Sequence, residues 1–466
     1  MTATFSLLMP CFNPQLNFLQ ECISSVLSQS FADWELCIID DGSDVSFAHA
    51  FKDTIEKDNR IKFLRLEENS GIAHASNAGL AIARGKFILP IDQDDLLSED
   101  ALLKVLNFIR QRPQLKFGYS DSDRVTPDGE HYQVFRKPDW NYELFLAQNF
   151  CNHLTFIDSS LMRSIGGWRA NYEGSQDYDL YLRVIELVDE SEIGHIPEVI
   201  YHWRSHGQSV SGKNLATAVS AGRRAVSDHL ERRCIHAEVE PAKGSLVYSR
   251  IRWKTLGEPL SVTFVSIGNA SKFLKSLLHT DVVKERTLHC ELIETDGSLE
   301  NIATALHDSQ QYAMVVLVHG SIDSIEPDDL ISLIIRGSHL GIGCVAPKYV
   351  NSTTGKVFIP EEIKNRACIP CRKTERCLDA NTKGRFAHLS LHQNSKYLCS
   401  DFLIFKARDL KKYGLVNAPE ETTVEFLNTF CHKLSTAGLK NIWDGSVVAS
   451  FVHTLECRDH TPVIPR

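Results

Sequence analysis

Asp92, Asp94 and Asp95 stand together in Asp92-Gln93-Asp94-Asp95, directly after the apolar run Phe87-Ile88-Leu89-Pro90-Ile91. An apolar run that short, closed by turn residues, reads as a buried strand. Ser98, followed by Glu99 and Asp100, supplies the cap and the acidic first turn of a helix. Three carboxylates therefore crowd the carboxyl end of a strand, where open α/β sheets place ligands. Their mutual repulsion asks for a positive partner. A hard divalent cation, Mn2+ or Mg2+, holding a diphosphate meets that need. The bland alternative is a solvated acidic turn, because a lone Asp-x-Asp is a weak signal.

A second group lies further on. His202, Arg204 and His206 alternate with Trp203 and Ser205. On an extended segment all three point to one side, since strand side chains repeat every second residue. One cation and two imidazoles on a single face suit a diphosphate and its metal. His206 or His202 would be a further metal ligand and Arg204 would pair with phosphate oxygens.

The elements that must position these groups are legible upstream. Phe5-Ser6-Leu7-Leu8-Met9 is strand-like, and Leu19, Cys22, Ile23, Val26 and Leu27 mark one helix face. Trp34 to Ile39 is a second strand, broken by Asp40-Asp41-Gly42-Ser43; Ile61 to Leu66 is a third, and Gly71 to Ala83 a helix. This alternation with short loops predicts an α/β fold with a doubly wound, mainly parallel sheet. Asp40 and Asp41 then end one strand and the acidic run another, so both line one crevice.

The chain has 466 residues, room for two or three domains, and its formal charge of −9 argues against nucleic acid as a partner. No apolar stretch reaches a membrane-spanning length of roughly 18 residues, and the start lacks the basic-then-apolar form of a signal peptide. Thirteen cysteines in that setting read as reduced thiols. The expectation is a cytoplasmic protein with at most peripheral contact at the inner face of the membrane.

The motifs occur as an ordered set: Pro10-Cys11-Phe12-Asn13, Asp40-Asp41-Gly42-Ser43, Asn69-Ser70-Gly71, Ala75-Ser76-Asn77-Ala78-Gly79, Ala83-Arg84-Gly85 and Asp92-Gln93-Asp94-Asp95. Tyr119-Ser120-Asp121, Lys137-Pro138-Asp139-Trp140, Gly166-Gly167-Trp168, Glu173 to Leu180 and Tyr201 to His206 continue it. Over about the first 210 residues the chain resembles the family 2 inverting glycosyltransferases of the GT-A fold. The resemblance implies a metal-dependent enzyme that moves a sugar from a nucleotide-diphosphate donor to a saccharide or lipid-linked saccharide acceptor, as in bacterial surface polysaccharide synthesis.

It implies roles as well. Asp177 would be the catalytic base, its bland alternative being a helix cap, and Gln176 stands where relatives often have Glu. Pro10, Phe12, Asp40, Asp41, Gly71, Asn77, Asp92, Gln93 and Arg204 would bind the nucleotide sugar. Asp94, Asp92, His206 and His202 would hold the metal, and Asp121, Trp140 and Asp179 would meet the acceptor. Gly71, Ala75, Ala78 and Gly79 serve close helix–sheet packing equally well.

From about Leu260 the pattern restarts. Leu260 to Ile267, Cys290 to Glu294 and Met314 to Val318 read as strands, with Phe273, Leu274, Leu277, Leu278 and then Leu330, Leu333, Ile334 as helix faces. The strand matching the one before Asp92 ends in His319-Gly320-Ser321, and Glu425 to Phe430 stands where a base-bearing motif is expected. The expectation is a GT-A catalytic domain over 1–250 and a degenerate, non-catalytic GT-A-like domain over 251–466, serving packing, acceptor binding or homo-oligomerisation. The competing readings are a polymerase with two active domains and a catalytically dead carbohydrate-binding scaffold. Cys368, Cys371, Cys377, Cys399, His388 and His392 hold irregular zinc-like spacing, for which unpaired thiols are the simpler account.

Overall fold

The computed structural model describes residues 3–205, 215–254, 260–268, 271–278, 288–295, 299–358, 377–379, 391–395, 398, 402–413 and 423–453. The chain divides into two compact units: 1–140 with 149–234, and 141–148 with 235–466. The boundary thus falls at 234/235 rather than 250/251. The reason is a hairpin, Ala237–Pro241 paired with Ser249–Trp253, whose Trp253 N–H is held by Ser332 of the second unit.

In the first unit the strands are β1 (Phe5–Cys11), β2 (Trp34–Asp40), β3 (Ile61–Arg65), β4 (Phe87–Pro90), β5 (Leu96–Leu97), β6 (Phe117–Val125), β7 (His131–Phe135), β8 (Thr155–Asp158) and β9 (Ile193–Arg204). The sheet runs β3-β2-β1-β4-β8-β6-β9-β5, with β7 on β6. β3, β2, β1 and β4 are mutually parallel. Every residue of β2 is buried, which is why it reads as one apolar run: helices cover both faces of a parallel sheet. Leu7, Met9, Leu36, Ile38 and Leu89 form the centre of one core with Leu19 and Ile23 from the helix Leu16–Leu27.

The helix expected at Ser98 begins later, at Ala101. Leu96 and Leu97 pair with Tyr201 and His202 as the short strand β5, so backbone that would have opened the helix is committed to the sheet.

In the second unit the hairpin strands are β10 (Ala237–Pro241) and β11 (Ser249–Trp253), and β12 (Leu260–Ile267), β13 (Leu288–Thr295), β14 (Met314–His319), β15 (Ser321–Ser324), β16 (Ile342–Asn351), β17 (Lys356–Phe358), β20 (Phe402–Lys406) and β21 (Lys440–His453) repeat the scheme, with β18 (Cys377–Asp379) on β17 and β19 (His392–Asn394) on β21. The order β13-β12-β14-β20-β16-β21 matches β2-β1-β4-β8-β6-β9, and the pairings are parallel, parallel, antiparallel, antiparallel, parallel in both. β15 lies antiparallel on β21 as β5 does on β9. The second half is therefore an α/β repeat of the first. Among the described residues, no helix is long and apolar enough to cross a membrane.

Candidate active site

β4 delivers the chain to the acidic turn, and β9 holds that turn from below. Asp95 is fully buried and its carboxylate accepts from Tyr201 Oη at 2.5 Å and from the Arg204 backbone N–H at 2.7 Å. Arg204 Nε donates to the Asp94 carbonyl at 2.8 Å and Nη2 to Glu21 Oε2 at 2.5 Å, while the guanidinium lies over the Phe18 ring. Two half-buried carboxylates, Asp92 and Asp94, remain on the partly open side. Burial and then Asp94 push Asp92 up to about 7. A pair this crowded fits a divalent cation, whose charge relieves both.

Asp177 stands in the first turn of the helix Gln176–Ile185. Its Oδ1 accepts from Trp168 Nε1 at 2.8 Å and its Oδ2 from Asn152 Nδ2 at 3.4 Å. Burial raises its pKa above the usual Asp value; Asp92 pushes the same way, while Trp168, His153 and Asn152 oppose. Asp177 and Asp92 are thus electrostatic neighbours, brought together from a helix start and a strand end.

Trp168 is fixed by Asn77, whose Oδ1 accepts from the Trp168 N–H at 2.9 Å and whose Nδ2 donates to the Trp168 carbonyl at 2.8 Å. Gly167 must be glycine for this grip: its φ is +68° and a Cβ would sit 2.2 Å from Asn77 Oδ1.

His153 completes the group. Its ring stacks on Tyr201 with centroids 5.1 Å apart, and burial pushes its pKa down to about 4 despite the opposing charges of Asp177 and Asp94. The imidazole is therefore neutral at physiological pH. Lys137 Nζ holds the backbone on either side, donating to the carbonyls of Cys151 at 3.0 Å and His153 at 2.5 Å.

Several of the expected site residues are engaged within the protein. Arg204 is completely buried with its donors directed at protein acceptors, so it shapes the turn instead of facing a diphosphate. His202 does not reach the acidic turn's carboxylates: its Nδ1 lies 2.7 Å from Asp123 Oδ1 and its Nε2 3.0 Å from Ser98 Oγ. Asn77 and Gln93 have both amide ends on backbone, the latter linking Phe12 N–H (3.0 Å) and carbonyl (3.4 Å) to the turn. Asp179 is buried between Arg169 and Arg183, and Asp121 is buried against His195 Nε2 at 2.8 Å and the Lys137 N–H, so both are engaged by internal partners. These are buried charges that demand internal partners.

Asp40 is ion-paired with Arg65 and accepts from the Ser43 N–H at 2.9 Å; Asp41 accepts from the N–H groups of Ser70 (3.0 Å) and Gly71 (2.9 Å). Together they shape the loops beside the crevice. Phe12 is exposed there, Pro10 is half-buried and Trp140 packs against Phe150. His206 lies outside the described residues, as do Cys368, Cys371, Cys399 and His388. Trp168, Asn152, His153 and Tyr201 were missed as site residues. Trp168 and Tyr201 sit inside recognised motifs, whereas Asn152 and His153 carry no local signal.

The fold and the site define an α/β unit with an acidic crevice and an oriented carboxylate. The family model "Glycosyl transferase family 2" matches residues 6–165, which apart from 141–148 lie in the first unit. An uncharacterized protein of Sinorhizobium fredii is 29% identical over 94% of this chain and 52% of its own length. An O-antigen biosynthesis protein of Myxococcus xanthus is 33% identical over 62% of this chain and 22% of its own length. The chain thus spans about half or less of these relatives. The solved structure of S. aureus TarS 1–349 in complex with UDP-GlcNAc is similar at a TM-score of 0.41 and 16% identity, over 49% of this chain and 66% of that one.

Proposed function

We propose that the first unit transfers a sugar, with inversion, from a nucleotide-diphosphate donor to a hydroxyl of a saccharide acceptor. The observation that carries this is the Asp177 carboxylate, aimed by Trp168 and lying in the field of Asp92. Asp177 takes the proton of the acceptor hydroxyl as its oxygen attacks the anomeric carbon opposite the leaving diphosphate. Asp92 and Asp94 would hold Mn2+ or Mg2+, which when bound neutralises charge on the leaving diphosphate. Neutral His153, stacked beside the base, excludes water and offers a ring nitrogen to the acceptor or donor sugar. Phe12 offers a face to the nucleobase, and Asp41 fixes the loop beside it.

The likeness to an O-antigen biosynthesis protein supports a surface polysaccharide, free or lipid-linked, as the acceptor. A cytoplasmic setting at the inner membrane face fits such an acceptor. The second unit is read as non-catalytic, because His319, Gly320 and Ser321 stand where the matching strand of the first unit leads into its carboxylates.

The test is a panel of uridine, guanosine and thymidine diphosphate sugars incubated with the full chain and saccharide acceptors, with Mn2+ or with chelator. Metal-dependent release of nucleoside diphosphate, with product of inverted anomeric configuration, is expected. Absence of turnover with every donor, alongside undiminished carbohydrate binding, would favour a scaffold.

A further inference from the structure

We propose that Asp123, His131 and His202 form a second metal site, selective for a Zn2+-class ion and separate from the acidic turn. The ligands come from three adjacent strands, β6, β7 and β9. Asp123 and His202 are direct register partners, and His131 faces Val125 two residues on. One ligand atom from each residue lies within 4.8 Å of the others. His202 Nδ1 is 2.7 Å from Asp123 Oδ1, and His131 Nδ1 is 3.0 Å from Asp123 Oδ2. The two imidazoles meet edge to face with centroids 4.5 Å apart.

The far side of His202 points the same way. Its Nε2 is 3.0 Å from Ser98 Oγ, and that hydroxyl reaches the Val199 carbonyl at 3.4 Å. When the Ser98 hydroxyl donates to the carbonyl and accepts from Nε2–H, Nδ1 presents its lone pair toward Asp123, the tautomer in which it can bind a cation held by that carboxylate. Outer hydrogen bonds of this kind fix the tautomer of a metal-ligating imidazole.

The donor set decides the ion. Two imidazoles and one carboxylate suit Zn2+ and its neighbours, with a fourth position left for water, whereas an all-oxygen acidic turn suits Mg2+ or Mn2+. The His131 side chain is 50% exposed, which provides an entry path, while that of Asp123 is 9% exposed and anchors the site. An ion here ties β7 and β9 to β6. Since Arg204 holds the acidic turn two residues after His202, the ion also steadies the site without touching the reacting groups.

Metal-stripped full chain would be titrated with Co2+ as a spectroscopic probe and then challenged with Zn2+. One equivalent should give visible ligand-field bands of a nitrogen/oxygen site, displaced by Zn2+ but not by Mg2+. His131→Ala should abolish the bands, and circular dichroism should show its fold unchanged. Ser98→Ala, which only removes support behind the ring, should weaken affinity by about 10–100-fold. Asp94→Ala should leave the bands intact, which separates this site from the one used for transfer. Absent bands, bands that survive His131→Ala, or bands lost in Asp94→Ala instead would each overturn the assignment.

Discussion

Trp168 Nε1 donates to Asp177 Oδ1 at 2.8 Å, and Asn77 clamps the Trp168 backbone from both sides. A carboxylate whose only task was capping its helix would need no indole to aim it. The other oxygen of Asp177 accepts from Asn152, and burial, with Asp92 pushing the same way, keeps its proton affinity above that of an ordinary Asp.

Asp177→Asn should therefore retain donor affinity and lose turnover, by ~10²–10⁴-fold in kcat for removal of a general base. Calorimetry with nucleoside diphosphate and Mn2+ reads the first quantity, and product formation the second. Near wild-type turnover would return Asp177 to the role of a cap.

Trp168→Phe removes a hydrogen bond to a charged group, worth roughly 1.5–3 kcal/mol, and should lower kcat by about 10–100-fold with little change in donor KM. The same bond lowers the Asp177 pKa. Its loss should therefore move the acid limb of the kcat/KM profile to higher pH. Burial already raises Asp177 above the ordinary Asp value in the wild type. A kcat loss with an unmoved acid limb would mean that Trp168 serves packing alone.

Arg204→Lys tests the reassignment of that residue from phosphate to scaffold. A point ammonium cannot serve the Asp94 carbonyl and Glu21 together, as the planar guanidinium does. Loss of charge-assisted hydrogen bonds at a buried site should cost roughly 1.5–3 kcal/mol of stability, read by denaturant unfolding in the absence of any donor. A variant with unchanged stability but weakened diphosphate binding would restore the original expectation.

How much of this was legible follows from what a sequence pattern can carry. β1, β2 and β4 announced themselves because parallel strands covered on both faces are continuous apolar runs. The repeat in the second half was legible for the same reason, down to β14 ending at His319. The acidic turn and the Asp177 helix were also visible. Partners across the fold were not. His202 lies 79 residues from Asp123, Asn77 91 from Trp168, and Arg204 183 from Glu21. Alternation says which residues share a side, and only the sheet register says what waits there. Ser98 looked like a helix cap because nothing local reveals that Leu96 and Leu97 pair with β9.

Glu186 carries a pH-dependent share of stability. Burial alone would raise it, but His229 at 2.7 Å and Arg232 hold it down to about 2. Its folded value lies below its ordinary 4.5, so its contribution is complete above pH 4.5 and fades as pH falls toward about 2. Glu186→Gln should lower Tm at neutral pH and flatten the loss of stability across that acid window. An equal Tm drop at pH 2 and pH 7 would show that the ion pair is not the cause.

β14 of the second unit matches β4 in its parallel pairing with the first strand of its sheet, β12 as β1, yet leads into His319, Gly320 and Ser321, with the exposed Asp323 the next carboxylate along the chain. Imidazole and hydroxyl groups make a poor cage for a diphosphate-bound hard cation. Asp323→Ala should leave metal-dependent turnover of the full chain unchanged, while Asp94→Ala removes it. The two variants should differ in the same way in calorimetry: one Mn2+-dependent nucleotide site in Asp323→Ala, none in Asp94→Ala. A nucleotide site that persists in Asp94→Ala and disappears on adding Asp323→Ala would place a second donor pocket in the repeat and make the protein a two-site polymerase.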